Sequence, residues 1–417
     1  MARERLSSRL GFILLSAGCA IGCGNVWKFP WMVGQNGGGA FVLVYLAFLV
    51  VLGLPALTME FALGRAAQAS PVRMYQKLEK PGSKWHIHGY ACLLGNIFLM
   101  AFYTVVTGWL IYYFISFVAR KSGELSFGKM ISSPKINVGY LFIAVALCFL
   151  ILTRNLQSGL ERITKYMMVL LLVLMTVLAV RSISLPGGAK GLSFYLVPDF
   201  NKLTVPFVVG AMNQAFFTLS LGIGAMSIFG SYIGKDRSLM GESVKVIILD
   251  TFVAVTAGLI IFPACASFGI AVDAGPSLLF NTMTTVFNNM GGGRVWGSLF
   301  FLFMVFAAFS TELAVCENIL ACVREMTGWS RKKGCIICGA GIFLIALTTA
   351  LGYSVLHFHP FGEGSAWLDF WDFIVSNNLL PLGALIFAVF SCSSKFGLGW
   401  EKLVQEANEG EGLKVKN

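Results

Sequence analysis

A few charged and polar residues of this sequence lie inside long apolar stretches, where an isolated charge is costly unless it is paired or functional. Glu60, Asp250 and Glu312 are acidic examples, and Lys28 is a lone base in the stretch GCAIGCGNVWKFP, residues 18–30. Carboxylate, amide, hydroxyl and backbone carbonyl oxygens are the ligands that small hard cations such as Na⁺ prefer. No histidine lies deep in an apolar stretch, and no HExxH or GxSxG motif occurs. These residues therefore favour cation binding over catalysis.

The same stretch at 18–30 contains three glycines, an asparagine and a proline, which interrupt a helix. In hydrocarbon every backbone N–H and C=O needs a partner, so an unwound turn is tolerated only where it lines a cavity or binds something. FFTLSLGIG at 216–224 is a second such break. Two broken helices could present N–H groups to an anion and carbonyls to a cation. Glycines that only permit close helix packing explain either stretch alone equally well.

Membrane helices are the elements that must position these residues. The chain has 417 residues, of which 57% are hydrophobic and 12% charged, and its mean hydropathy is +0.77. Its apolar stretches approach or exceed the roughly 20 residues that cross a bilayer as a helix, whereas a membrane barrel would show alternating segments. Ten such stretches lie near 10–33, 40–63, 88–118, 137–153, 164–182, 204–232, 244–270, 296–322, 334–353 and 367–394.

The basic residues predict the orientation of these helices. If successive helices cross the membrane in alternate directions, most of the 31 Lys and Arg lie in segments on the same side as residue 1. Cytoplasmic loops show this excess of basic residues. The net charge of +11 therefore needs no nucleic-acid partner. We expect a multi-pass protein of the cell (inner) membrane with both termini cytoplasmic and the lipid bilayer around it. The basic, apolar N-terminus is not expected to be a cleaved signal, because its apolar stretch continues past the cleavage site.

The cysteines and histidines give no sign of a metal or redox centre. The ten cysteines lie almost wholly in apolar stretches, as small buried hydrophobic residues do. Cys335 and Cys338 form a CxxC pair without a second pair, which is weak support for zinc or redox chemistry. The HxH pairs at 86–88 and 357–359 are expected to be ordinary interfacial residues.

Several motifs together resemble one transporter family. AGCAIGCGNVWKFPWMVGQNGGGAFVLVYL and MEFALGR are similar to the first two helices of the neurotransmitter:sodium symporter family, in its bacterial amino acid branch. QAFFTLSLGIGAMSIFGSY, LDTFVAVTAGLIIFP, FAAFSTELAV and LDFWDFIVSNNLLPLG resemble its helices 6, 7, 8 and 10. The resemblance covers nearly the whole chain. It implies an all-α membrane protein of the LeuT-type fold, with ten helices in two inverted five-helix repeats and with helices 1 and 6 discontinuous.

On this basis the chain divides into five segments. They are a cytoplasmic N-terminus (1–9), the first inverted repeat (10–182), an outer loop (183–203), the second inverted repeat (204–394) and a polar, solvated cytoplasmic tail (395–417). The family usually has eleven or twelve helices, whereas this sequence is expected to have ten, without family helices 11 and 12, either as a ten-helix core or because the sequence is shortened. A homodimer is compatible with the family but not specified by these residues.

The resemblance also implies the binding residues. The substrate would be bound by Cys19, Ala20, Cys23, Gly24, Leu99, Tyr103, Phe217, Thr218, Ser220, Ile223, Thr311 and Val315. One Na⁺ would be held by Ala20, Asn25, Thr218 and Asp250, and a second by Gly18, Ile21, Ala307, Ser310 and Thr311. The substrate carboxylate would meet the Tyr103 hydroxyl and complete the first sodium shell. The side-chain lining is apolar and has no fixed charge, so we expect a neutral, hydrophobic amino acid.

Gates follow from the same resemblance. The matching residues are Lys28, Asp372 and Phe217 on the outer side, and Arg3, Glu325 and Tyr232 on the inner side. Glu60 would satisfy the unwound backbone of helix 6.

One departure from the family concerns chloride. Relatives that need chloride have an asparagine where this chain has Asp250 and a small hydroxyl where it has Ala254. A fixed carboxylate could do the electrostatic work of the anion, so no chloride requirement is expected. Tyr45 and Gln214, which remain from the chloride site, argue the other way.

The resulting hypothesis is a sodium-coupled symporter that works by alternating access and is not an enzyme. A relative driven by protons or by exchange, with Asp250 as the titrating group, is one alternative. A receptor that binds an amino acid without transporting it is another. A channel is disfavoured, because two gates around a closed apolar pocket oppose a continuous pore.

Overall fold

The structure is a computed structural model that describes residues 6–272, 275–395 and 397–416. Its long elements are helices, which we label α1 to α10 in chain order. Their bounds are Arg9–Ala20 with Gly24–Gln35 (α1), Gly39–Ala67 (α2), His86–Val118 (α3), Pro134–Leu152 (α4), Gln157–Ile183 (α5), Val205–Thr218 with Ala225–Gly230 (α6), Leu239–Phe268 (α7), Gly293–Thr327 (α8), Arg331–Leu351 (α9) and Trp367–Cys392 (α10).

Eight unbroken helices of the described chain are long and apolar enough to cross a membrane. The two pieces of α1, bent by 51°, pass the same test when taken together. The pieces of α6 are shorter, with 14 and 6 residues on either side of its break. With each broken helix taken as one span, the all-helical architecture agrees with the ten predicted spans, and the first helix of each five-helix half is discontinuous.

The break in α1 lies at residues 21–23, where the sequence predicts it. Ile21 adopts an extended conformation, with φ −75° and ψ 102°. A Cβ at Gly22 would lie 2.3 Å from the hydroxyl oxygen of Tyr103 and 2.5 Å from that of Thr311. Only glycine allows α3 and α8 to approach the broken turn this closely.

The break in α6 spans residues 219–224. Ser220, Gly222 and Gly224 have φ values of +51°, +95° and +67°, which a right-handed helix cannot accommodate. A Cβ at Gly222 would lie 2.0 Å from the carbonyl oxygen of Leu380. The unwound segment therefore packs directly against the backbone of α10.

The two breaks meet in the interior of the helix bundle. α3 and α8 bury most of their residues, and each places one side chain, Tyr103 or Thr311, beside Gly22. Asn25, Asp250 and Ser310 have no exposed surface, and Thr218 and Thr311 are at most 4% exposed. Such polar groups are costly in an apolar interior unless they bind one another or a ligand, so they mark the candidate site.

The C-terminal tail was expected to be solvated, but part of it packs against the rest of the protein. Residues Trp400–Asn408 form a helix that buries Leu403, Val404 and Ala407 against the rest of the protein. Its Glu406 carboxylate lies 2.6 Å from the Nε of Arg65, a side chain at the end of α2 with no exposed surface. The polar composition conceals an amphipathic helix whose few apolar residues lie on one face.

All ten cysteines lie in the described part of the chain, and none forms a disulfide. No group of three or more His, Cys, Asp or Glu residues in the described ranges could hold a metal ion.

Candidate functional site

The two breaks enclose a small cavity between α1, α3, α6, α8 and α10. It is lined by Cys19, Ala20, Gly22, Gly24, Leu99, Tyr103, Phe217, Ser220, Ile223, Thr311 and Leu380. Its volume is about 20 Å³, which is room for about one water molecule. A larger ligand can bind there only if wall side chains move.

Polar groups converge on this cavity from the broken turns. The backbone N–H of Cys23 donates a hydrogen bond of 3.0 Å to the Tyr103 hydroxyl. The hydroxyl of Ser220 donates one of 3.3 Å to the carbonyl of Cys19. These groups present both donors and carbonyl acceptors within one apolar enclosure, as recognition of a zwitterion requires.

A first group of oxygen ligands surrounds Asp250 on α7. The Asn25 amide donates to the Asp250 carboxylate at 2.8 Å, and the Thr218 hydroxyl lies 3.1 and 3.2 Å from its two oxygens. The Tyr45 hydroxyl lies 3.5 Å from the second oxygen. The amide oxygen of Asn25 accepts from the N–H of Gly22, and its second lone pair could coordinate a cation.

A second group of oxygens joins α1 to α8. The Thr311 hydroxyl lies 3.2 Å from the carbonyl oxygens of Gly18 and Ile21 and 3.4 Å from that of Ala307. The Ser310 hydroxyl is 3.0 Å from the same Ala307 carbonyl. All five residues predicted for the second sodium are thus brought together, and their hard oxygens suit Na⁺.

Lys28 and Asp372 lie together at one side of the cavity. The Lys28 ammonium is 2.9 Å from both carboxylate oxygens of Asp372 and 3.1 Å from the Ser376 hydroxyl. The same ammonium lies 4.2 Å from the centre of the Phe217 ring, and this ring packs against Gly24. The ion pair and the ring therefore form one layer over the cavity.

Of the residues predicted for the opposite gate, the structure describes Glu325 and Tyr232. Arg3 lies outside the described residues. The carboxylate of Glu325 accepts hydrogen bonds from the N–H and the hydroxyl of Ser70. Tyr232 donates to Glu317 at 3.2 Å.

Glu317 also forms an ion pair of 2.6 Å with Arg331 at the start of α9. This pair was missed by the sequence analysis, in which Glu317 has no assigned role. Glu317 is a charge inside the apolar stretch 296–322, which signals a partner or a function, but no motif identifies Arg331 as that partner.

Glu60 lies behind the break in α6. Its carboxylate accepts a hydrogen bond of 2.6 Å from the N–H of Gly222. This is the position that the sequence analysis gives it.

Most of the predicted substrate residues border the cavity, with three exceptions. Cys23, Thr218 and Val315 are buried but do not line it. At α8 the wall is made by Thr311, one turn before Val315. Leu380 on α10 also lines the cavity, whereas the sequence analysis assigns α10 only a gate residue. Leu380 was missed because no local motif indicates the close contact between α6 and α10.

Comparisons with known proteins agree with this geometry. The family model of the sodium:neurotransmitter symporter family matches residues 3–124 and 117–368. An uncharacterized sodium-dependent transporter, YhdH of Bacillus subtilis, is 36% identical over 92% of this chain and 86% of its own length. The sodium-dependent serotonin transporter of Drosophila melanogaster is 27% identical over 88% of this chain and 68% of its own.

A solved structure is also similar. The crystal structure of MhsT in complex with L-phenylalanine matches with a TM-score of 0.89 and 34% identity, over 97% of this chain and 93% of that one. Family, fold and site thus point to a multi-pass, sodium-coupled membrane transporter and not to an enzyme. The chain belongs to the sodium:neurotransmitter symporter family.

Proposed function

We propose that this protein takes up a neutral, hydrophobic amino acid together with Na⁺. The observation that carries the proposal is the joint position of two oxygen clusters, around Asp250 and around Thr311, beside one cavity with apolar walls. The bound L-phenylalanine of MhsT, 34% identical to this chain, supports the same class of substrate.

The amino acid would bind with its two charged ends at the broken turns. Its carboxylate would receive hydrogen bonds from the Cys23 N–H and the Tyr103 hydroxyl, which now bind each other at 3.0 Å. The start of the second piece of α1, at Gly24, adds a positive helix end. The ammonium group of the amino acid would meet carbonyl oxygens near Ala20 and Ser220. The side chain would face Leu99 and its neighbours, where no charged residue lines the cavity, so a charged side chain would be buried without a partner.

Two Na⁺ would bind as co-substrates, one in each oxygen cluster. At the first, Asp250, Asn25, Thr218 and the carbonyl of Ala20 would surround the ion beside the substrate carboxylate. Each opposite charge lowers the cost of burying the other, which couples the ion to the substrate. The second ion would replace the contacts that the Thr311 hydroxyl makes with α1 and so tie α1 to α8.

Chloride would not be needed. The Asp250 carboxylate lies 3.5 Å from the Tyr45 hydroxyl, and Ala254 offers no hydroxyl on the next turn of α7. A permanent negative charge at Asp250 would balance the bound Na⁺ where relatives use an anion.

Alternating access would open the two sides in turn. The layer made by Lys28, Asp372 and Phe217 would close the outer side, and the ion pair between Glu317 and Arg331 would contribute to closure of the inner side. With positive residues favouring the cytoplasm, both termini would be cytoplasmic in the cell (inner) membrane.

Binding of radiolabelled neutral amino acids to the purified protein tests this proposal, with K⁺ in place of Na⁺ as the control. We expect saturable binding of a hydrophobic amino acid only with Na⁺. Equal binding in both ions would exclude the sodium mechanism and favour a proton-coupled site at Asp250. Binding without gradient-driven uptake would identify a receptor.

A further inference from the structure

Helix α10 carries both a gate residue and a wall of the cavity. Asp372, Ser376 and Leu380 are spaced by four residues, so they follow one face of a helix. The first two contact the Lys28 ammonium, and Leu380, which is 1% exposed, lines the cavity. The substrate side chain and the outer gate would therefore touch the same face of α10.

The backbone of α10 is fixed against the unwound segment of α6 by two facing glycines. A Cβ at Gly222 would lie 2.0 Å from the carbonyl oxygen of Leu380, and a Cβ at Gly383 would lie 2.0 Å from the carbonyl oxygen of Gly222. Backbone atoms in direct contact leave α10 no room to approach further, and Gly222 itself is held by Glu60. The position of the Leu380 side chain is thus set by main-chain packing.

The other apolar walls belong to other elements of the protein. Phe217 belongs to the layer that must move when the outer side opens, and Ile223 lies on the unwound part of α6. Leu99 projects from the long helix α3 on another side of the cavity. In a cavity of about 20 Å³, a larger or smaller side chain at Leu380 would directly change the space that is open to the substrate side chain.

We propose that Leu380 sets the upper size limit of the substrate side chain. With leucine at this position the site would prefer aliphatic amino acids of medium size over the largest aromatic ones. This inference rests on the proposed amino acid substrate. One methylene more or less in an apolar pocket changes the preference between two substrates by roughly 10- to 200-fold. Single substitutions at Leu380 should therefore measurably change the preference between small and large amino acids.

The test is competition by alanine, valine, leucine, phenylalanine and tryptophan against a radiolabelled amino acid that the unmodified protein binds with Na⁺. We expect Leu380→Ala to improve the binding of tryptophan relative to valine by about 10-fold or more. Leu380→Phe should change the same ratio in the opposite direction. Because the readout is a ratio of affinities, a lower yield of folded protein does not affect it.

Leu382→Ala is the matched control, since Leu382 lies two residues further on α10 and is 57% exposed. It should leave the ratio unchanged. If the unmodified protein binds no amino acid, the proposed function fails. If it binds one and both Leu380 variants keep the original ratio, only the size limit is overturned. Leu380→Val gives an independent reading with a smaller change should Leu380→Ala not fold.

Discussion

Replacing Asp250 with asparagine tests the electrostatics of the site most sharply. The two side chains have nearly the same shape. Asparagine keeps one oxygen that can accept from Asn25, which lies 2.8 Å away, or from Thr218 at 3.1 Å. The structure around α7 should therefore persist while the negative charge is lost. We expect Asp250→Asn to bind Na⁺ much more weakly and to become responsive to chloride.

The size of the effect follows from the geometry. Two unit charges about 4 Å apart interact with about 4 kcal/mol at an effective dielectric constant near 20. Loss of this attraction corresponds to roughly a 1,000-fold change in affinity. Asparagine keeps one oxygen that can still coordinate the ion, so we expect a loss of about 100- to 1,000-fold in Na⁺ affinity. Chloride bound near Tyr45 and Gln214 should restore part of it.

The assay is amino acid binding as a function of Na⁺ concentration, with chloride or gluconate as the anion. Asp199→Asn, an exposed loop position, is the matched control and should behave as the unmodified protein does. An Asp250→Asn variant with unchanged Na⁺ dependence and full activity in gluconate would refute the charge argument.

Two further substitutions test close packing and the C-terminal helix. Gly22→Ala places a methyl group 2.3 Å from the Tyr103 hydroxyl oxygen. Overpacking of this kind costs about 1–3 kcal/mol, so amino acid affinity should fall about 10- to 100-fold, measured by saturation binding. Glu406→Ala removes the carboxylate that pairs with the buried Arg65. Breaking a buried pair costs about 3–5 kcal/mol, so the unfolding temperature in detergent should fall.

Each of the two has a control on an exposed surface. Gly139→Ala meets no atom within 4 Å and should bind the amino acid normally, and Glu401→Ala on the outer face of the C-terminal helix should keep its unfolding temperature. Normal amino acid binding by the Gly22→Ala variant would show that the broken turn of α1 can accommodate a methyl group. An unchanged unfolding temperature for the Glu406 variant would mean that water or a carbonyl replaces the lost carboxylate.

The helices of this protein could be predicted from sequence because their signals are local and strong. Continuous apolar stretches specify spans, and the breaks near Gly22 and Gly222 are visible as glycines where a helix should be unbroken. The clustering of Thr311 with the carbonyls of α1 could be predicted only through the family resemblance. Nothing in the spacing of residues more than 280 positions apart, such as Ile21 and Thr311, indicates that they meet.

The features that the sequence did not predict depend on packing between distant elements. Leu380 reaches the cavity because Gly222 and Gly383 allow two backbones to touch. Glu317 and Arg331 pair across neighbouring helices, although each alone is compatible with an ordinary interfacial residue. The C-terminal helix has a polar composition, and its buried apolar face and its contact with Arg65 show that it is part of the folded protein.

The most direct test of sodium-coupled transport is uptake of a radiolabelled hydrophobic amino acid into liposomes that contain the purified protein. An inward Na⁺ gradient should drive accumulation above the external concentration, and the accumulation should collapse when the gradient is removed by an ionophore. An equal K⁺ gradient should give none. Equal uptake with either gradient, or Na⁺-dependent binding without any accumulation, would contradict coupled symport.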